Sequence, residues 1–159
     1  RNYAAGMGVS ITLQQATDVR NQWLDTYYGV RAWHRRLAKE ADKTAGQIPS
    51  IRVPVSGLRR FLPGDINRLT IRANLPVQGA GAAILKCAIG TLWKHLEGSD
   101  EAKLCACIHD EAICLVRKGK EEKWMKILKD SMESAEAKWL GDVPAVADVK
   151  TGPTWASCH

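Results

Sequence analysis

No two cysteines in these 159 residues stand at the Cys-x-x-Cys spacing that marks a zinc site or a redox motif. The five present, Cys87, Cys105, Cys107, Cys114 and Cys158, are odd in number, which argues against a closed disulfide framework. They read as small hydrophobes kept reduced, which points to a cytoplasmic protein. No strictly apolar run is long enough to span a bilayer and no secretory leader is visible, so a soluble chain with no membrane partner is expected. Internal repeats and low-complexity segments are also absent. What remains is the composition of an ordinary globular domain, 45% apolar and 25% charged, which excludes disordered and fibrous classes. Lys and Arg outnumber Asp and Glu by 23 to 17, and the net charge of +6 is compatible with a phosphate-rich partner without requiring one.

Hydrophobic spacing predicts helices first. Thr12 and Gln15 fit a capping box, and Leu13, Ala16, Val19, Trp23, Leu24 and Tyr27 follow at helical intervals. Gly29 is expected to interrupt that helix before a second one carrying Val30, Trp33, Leu37 and Ala41 among Arg31, His34, Arg35, Arg36 and Lys39. This Arg-rich face reads either as a phosphate contact or as a solvated helix face. Between Ile48 and Pro63, Ile51, Val53 and Val55 alternate with polar and turn residues, and Pro49, Pro54 and Pro63 place the resulting hairpin at an edge. A long helix should then run from a cap at Asp65 to about Leu96, bent or missing a hydrogen bond at Pro76. The small residues Gly79, Ala80, Gly81, Ala82 and Ala83 imply that something packs very close to it.

Lys103 to Arg117 is β-compatible and broken only by His109-Asp110-Glu111; its apolar arms predict a hairpin buried on both faces. After Gly119, residues Trp124, Ile127, Leu128, Met132, Ala135 and Trp139 mark an amphipathic helix that Gly141 stops, and Val146 to Val149 looks like a closing strand. Trp23, Trp33, Trp93, Trp124 and Trp139 all fall on apolar helical faces and are expected in the core. His34 and His95 are expected at the surface, and Trp155 to pin the last strand. Adjacent acids at the turn of a buried hairpin are costly unless compensated. Solvent exposure, pairing with a basic residue, or a hard divalent cation would each suffice.

The segment Asn74-Leu75-Pro76-Val77-Gln78-Gly79, followed by His109-Asp110-Glu111 at a hairpin tip, resembles the C-terminal half of family A DNA polymerases, the group of the bacterial repair polymerase and many phage replicases. Tyr28-Gly29-Val30-Arg31-Ala32-Trp33 looks like the segment joining two fingers helices in that family. Gly57-Leu58-Arg59-Arg60-Phe61-Leu62-Pro63 resembles its Gly-Arg-Arg hairpin. The stretch from Gly152 through Trp155 to His159 is similar to its terminal Gly-x-x-Trp with a final His. The motifs keep the family's order across nearly the whole chain.

The resemblance implies an α+β fold: a partial right-hand polymerase palm, an antiparallel hairpin plus closing strand, with long fingers and palm helices. Residues 1–46 would be fingers-derived helices and 47–159 the C-terminal palm. It implies that Asp110 is one of two catalytic aspartates holding two Mg2+ ions, with Glu111 beside it as a catalytic residue and His109 against the primer terminus. Asn74 and Gln78 would face the minor groove near the nascent pair, where the acceptor pattern is nearly common to all base pairs. Arg59, Arg60, Arg68 and Arg72 would meet backbone phosphates. The implied partners are primer-template DNA and dNTP.

The sequence departs from the family pattern in three places. Thr70 stands where the family has an Arg four residues before the Asn. Ala83 replaces an acid of the bacterial branch, and the Gln78-Gly79-Ala80-Gly81-Ala82 text looks closer to phage-type relatives. The first catalytic aspartate and the triphosphate-binding helix of the family have no counterpart here. Nucleotidyl transfer is therefore expected only in combination with a complementary N-terminal polymerase chain, in the host cytoplasm if the gene is phage-borne. A non-catalytic DNA-binding protein retaining the fold is the alternative.

Overall fold

A computed structural model describes residues 6–42, 48–62, 64 and 68–158, Asp42 by its backbone alone. The Asp65 cap, Pro63, His159 and the first five residues lie outside the described residues. Two helices open the fold, α1 (Leu13–Thr26) and α2 (Tyr28–Asp42). They are followed by strands β1 (Ser50–Arg52) and β2 (Arg59–Phe61), a 28-residue helix α3 (Leu69–Leu96), strands β3 (Ala102–Ile108) and β4 (Glu111–Val116), and helix α4 (Glu121–Leu140). A short 3-10 turn spans Trp155–Cys158. Each strand pair forms its own two-stranded sheet. The class is α+β, as expected.

The chain divides into two compact units. One comprises residues 1–51 and 59–74; the other comprises 52–58 and 75–159. In the first, α1 starts where the capping box requires. The Gln15 amide donates to Thr12 Oγ1 at 3.1 Å and the Thr12 amide to Gln15 Oε1 at 2.8 Å, satisfying donors the first turn leaves orphaned. The break before α2 falls at Tyr27, not at Gly29, which sits inside α2. Tyr27 leaves helical geometry while its amide still donates to the Trp23 carbonyl at 2.9 Å, so a helix-compatible residue carries the corner and the glycine is not needed for it.

The second unit is built on a dry contact among Leu92, Leu96, Ala102 and Trp124, flanked by Leu104, Cys114, Val116, Ile127 and Leu128. Trp124 contributes the largest side chain, 3% exposed, and burying an aromatic of this size stabilises by roughly 2–3 kcal/mol. Glu101, one residue before β3, fastens the strand to the start of α4. Its carboxylate accepts from Lys123 Nζ at 2.6 Å and Trp124 Nε1 at 3.2 Å, and meets Lys120 Nζ at 3.0 Å. Those contacts, Lys123 foremost, then Lys120 and Trp124, hold the Glu101 carboxyl well below the ordinary carboxylate range, at about 2. Cys114 faces the same core, and burial pushes its thiol up to about 11, so it is an inert packing residue.

The close approach to α3 that the small residues implied is a contact with Val53, in the loop between β1 and β2. A Cβ at Gly79 would lie 2.8 and 2.9 Å from the two Val53 methyls. Pro76 is buried within the helix, which continues through it. Length and composition alone would let α3 cross a membrane, yet Val53 seated on Gly79 is the packing of a helix folded against its own chain.

Three further expectations fail. Val146 to Val149 forms no strand; the segment is irregular and held by the Ala147 amide donating to Glu133 Oε1 at 3.1 Å. Pro144 lacks an amide donor, and β3 and β4 pair only with each other among the described residues. The β3–β4 hairpin is not buried on both faces, because Lys103, Cys105, Cys107 and Leu115 are exposed. Of the tryptophans expected in the core, Trp124 alone is fully buried, while Trp23, Trp93 and Trp139 are 50%, 55% and 41% exposed and Trp33 is half-buried. Helical periodicity identifies an apolar face but not whether a neighbour covers it.

Gly79 and Gly81 make a paired test. Ala at Gly81, which meets nothing within 4 Å, should stabilise by about 0.5–1 kcal/mol through helix propensity. Ala at Gly79 should destabilise by about 1 kcal/mol despite the same gain, because overpacking against stiff Val53 costs about 1–3 kcal/mol. Urea denaturation reads both, and Val53→Ala should relieve the second. Glu101→Gln should lower the urea midpoint at pH 7. A depressed carboxylate stabilises above its unfolded pKa and loses that contribution as pH falls through the folded value, so the deficit should close between about pH 5 and pH 2.

Candidate active site

The predicted turn is a tight hairpin end. β3 and β4 run antiparallel with Ala102 opposite Val116, Leu104 opposite Cys114, Ala106 opposite Ile113 and Ile108 opposite Glu111, leaving His109 and Asp110 as a two-residue connection. Glu111 is thus the first residue of β4, not part of the turn. His109 has φ +54°, the only positive φ outside glycine among the described residues. A positive φ at the first central position belongs to the primed turns that match strand twist, and glycine takes it without the penalty a Cβ imposes. A histidine held there is strain of about 1 kcal/mol or more at the tip.

The pairing register shifts by one residue between Leu104 and Ala106, as at a β-bulge. Leu104 pairs with Cys114 but Ala106 with Ile113, adjacent residues on opposite faces of β4, so the face that β3 presents exchanges at Cys105. Below the bulge, Ala102, Leu104, Cys114 and Val116 pack onto the α3 and α4 core. Above it, Glu111 lies by alternation on the face of Ile113 and Leu115, away from that core. Asp110 and His109 are exposed, and neither side chain has a hydrogen bond or ion pair with a described residue. Solvent is therefore the compensation for Asp110, while Glu111 is half-buried and engaged. Among the described residues no three His, Cys, Asp or Glu side chains gather as a metal site, so Asp110 and Glu111 supply at most part of one.

The other predicted residues fall into separate groups. Asn74 and Gln78 are exposed four residues apart on α3, on one helix face. Arg59 and Arg60 are exposed on β2, and Arg59 donates to Ser50 Oγ at 3.1 Å. Arg68 caps the start of α3, its carbonyl accepting from Ile71 and Arg72, and Arg72 lies one turn along with a buried Nε that has no acceptor. Sequence reading did not single out a recess of about 230 Å³ lined by Arg20, Asn21, Leu24, Arg31, His34, Arg35 and Leu69. The Arg-rich face of α2 was the available signal, and His34, expected at the surface, is half-buried in that recess.

The mixed fold thus presents an acidic hairpin tip, a long helix with an exposed Asn and Gln, and exposed arginines on β2. Residues 2–157 match the family model of DNA polymerase family A, and the chain belongs to that family. It is 31% identical over 151 residues to DNA polymerase I of Aquifex aeolicus (strain VF5), covering 94% of this chain and 25% of that protein. Against DNA polymerase I of Bacillus subtilis (strain 168) it is 30% identical over 163 residues, covering 97% and 18%. The chain thus spans a quarter or less of these relatives. The POL domain of Pol1 from M. smegmatis, solved in complex with DNA primer-template and dNTP, shares its fold with a TM-score of 0.68 at 24% identity, over 83% of this chain and 24% of that one.

The strain at the tip is measurable. His109→Gly should raise hairpin stability by about 1 kcal/mol, seen as slower amide exchange across the Ile108–Glu111 pair. Unchanged exchange would mean that the tip stores no strain.

Proposed function

We propose that the chain is the C-terminal palm and fingers region of a DNA-directed DNA polymerase, and that its hairpin tip supplies one carboxylate of a two-metal nucleotidyl-transfer centre. The observation that carries this reading is the tight turn that holds Asp110 in solvent at the end of a hairpin anchored on a dry core, in a chain matched to family A over nearly its full length. Asp110, with Glu111 beside it, offers the hard oxygen donors that suit Mg2+. Ions bound there would help ionise the primer 3′-hydroxyl and offset the charge of the departing pyrophosphate. The second aspartate and the nucleotide-binding helix come, in this proposal, from polypeptide outside these 159 residues.

The chain's own residues then divide the labour. His109, exposed in the turn, contacts the primer terminus in this reading. Asn74 and Gln78 test the shape of the nascent pair from the minor-groove side, where hydrogen-bond acceptors are nearly uniform across sequences. Arg59, Arg60, Arg68 and Arg72 hold backbone phosphates and fix register without reading sequence. The net charge of +6 favours the encounter with DNA. The phage-like Gln78–Ala82 text and a separate complementary chain belong to the same proposal.

Primer extension tests it. The 159-residue chain alone should give no magnesium-dependent synthesis. Combined with a polypeptide carrying the missing half it should extend a primer, and Asp110→Ala should then cut synthesis by at least a thousandfold while leaving primer-template affinity within about twofold. Synthesis that survives Asp110→Ala would overturn the assignment. Retained binding with no synthesis under any complementation would favour a DNA-binding protein that keeps only the fold.

A further inference from the structure

The α1–α2 corner carries a second set of nucleic-acid features, distant in sequence from every residue assigned above. Arg20, Trp23 and Leu24 stand at i, i+3 and i+4 on α1, and Tyr27 is the residue that caps its C-terminal end. Leu24 is buried, yet Trp23 and Tyr27 are 50% and 53% exposed, and their rings lie 5.0 Å apart, tilted by 46°. Tyr28, the first residue of α2, is 79% exposed. Large aromatics so exposed are a liability unless something stacks on them.

Beside them lies the recess of about 230 Å³ whose walls include Arg20, Arg31, His34 and Arg35. Its size is below that of pockets for drug-sized molecules and suits one phosphate group with its water. Asp25 pairs with Arg31 at 2.8 Å, and Arg31 also donates to the Asn21 carbonyl at 3.1 Å, but its Nε is buried without an acceptor. Arg20 and Arg35 have no ion pair or hydrogen bond with a described residue. Asp18, the other acid on α1, is engaged by Gln14. The recess thus holds unspent positive charge and one buried donor lacking its acceptor, next to a ledge of exposed rings.

We propose that this corner binds single-stranded DNA, with a backbone phosphate in the Arg20–Arg31–Arg35 recess and a base stacked on Trp23 and Tyr27. A cationic recess alone would accept any phosphate, and aromatic rings alone would accept any apolar partner. The two together match a strand whose bases are unpaired, because stacking needs a free base face and the adjoining cations follow the backbone. Paired bases in a duplex do not offer that face. Naming the strand as the template ahead of the primer rests on the polymerase reading; the binding itself does not.

The test uses the full 159-residue chain and a fluorescein-labelled twelve-residue oligothymidylate, read by anisotropy, with circular dichroism to show that each variant is folded. Arg20→Ala with Arg35→Ala should weaken binding about tenfold and reduce the slope of log affinity against log salt by about 1.4, as expected for two lost phosphate contacts on a single strand. Trp23→Ala should weaken binding fivefold or more. With an abasic chain of equal length the arginine effect should persist and the Trp23 effect vanish. Inorganic phosphate should compete with the abasic chain at lower concentration than with the oligothymidylate. Lys126→Ala on α4 should leave affinity unchanged. Equal affinity of wild type and both corner variants would overturn the proposal, as would a Trp23 effect of the same size on the abasic chain. Because no synthesis is read, failure of Asp110→Ala to affect extension would sink the polymerase assignment without touching this result.

Discussion

The contact between Glu101 and the start of α4 is what the rest of the second unit depends on. A single carboxylate ties together the residue preceding β3, two lysines and the indole of Trp124. An exposed ion pair is worth little, but this one directs the buried indole of Trp124 into the core formed by α3 and the hairpin. Once Trp124 is seated, Leu104, Cys114 and Val116 have a surface to pack against, and the lower hairpin is fixed. The tip is thus held at its base, and Asp110 is exposed at its end.

The sequence made the local elements legible where the code is local. The Thr12–Gln15 box, the Gly141 stop of α4 and the small-residue track on α3 each follow from one or two side chains, and each is realised. The partner of the small-residue track is Val53, which no local pattern could identify because the contact joins residues 26 apart in sequence. Tertiary facts were the ones that failed. Alternation could not reveal the bulge, since one inserted residue leaves the composition of β3 unchanged while exchanging its faces. The closing strand read well as Val-Ala-Asp-Val, but a strand needs an edge to pair with, and that edge is a property of the assembly.

The family was legible for a different reason: short motifs stand in the family's order, and the family match and shared fold agree with it. The candidate site residues rest on that resemblance. Their grouping was not legible. Asp110 and His109 form the turn, Glu111 belongs to β4, and Asn74 and Gln78 occupy another element. The tryptophans show the limit of periodicity most directly: Trp124 and Trp23 have the same helical signature, and one is 3% and the other 50% exposed. Burial of Trp124 is decided by Glu101 and by the hairpin, not by anything within α4.

Charge explains why a carboxylate can sit at the tip at all. In water the uncompensated Asp110 costs little, since the exposed turn solvates it. In the proposed reading the balance would reverse as a nucleic-acid backbone approached, because phosphates would bring negative charge toward an acid already present. At an effective dielectric of about 20, two unit charges 4 Å apart repel by about 4 kcal/mol, comparable with a full network of surface contacts. If the chain binds nucleic acid as proposed, an acidic tip is self-defeating unless positive charge arrives with the ligand. Neither His109 nor Asp110 has an ion pair with a described residue, and Lys120 and Lys123 at the start of α4 are committed to Glu101. In the proposed reading a cation shared between Asp110 and the phosphates would resolve the conflict, and the carboxylate would act only with substrate bound. That reading also requires a second acid to hold the charge in place.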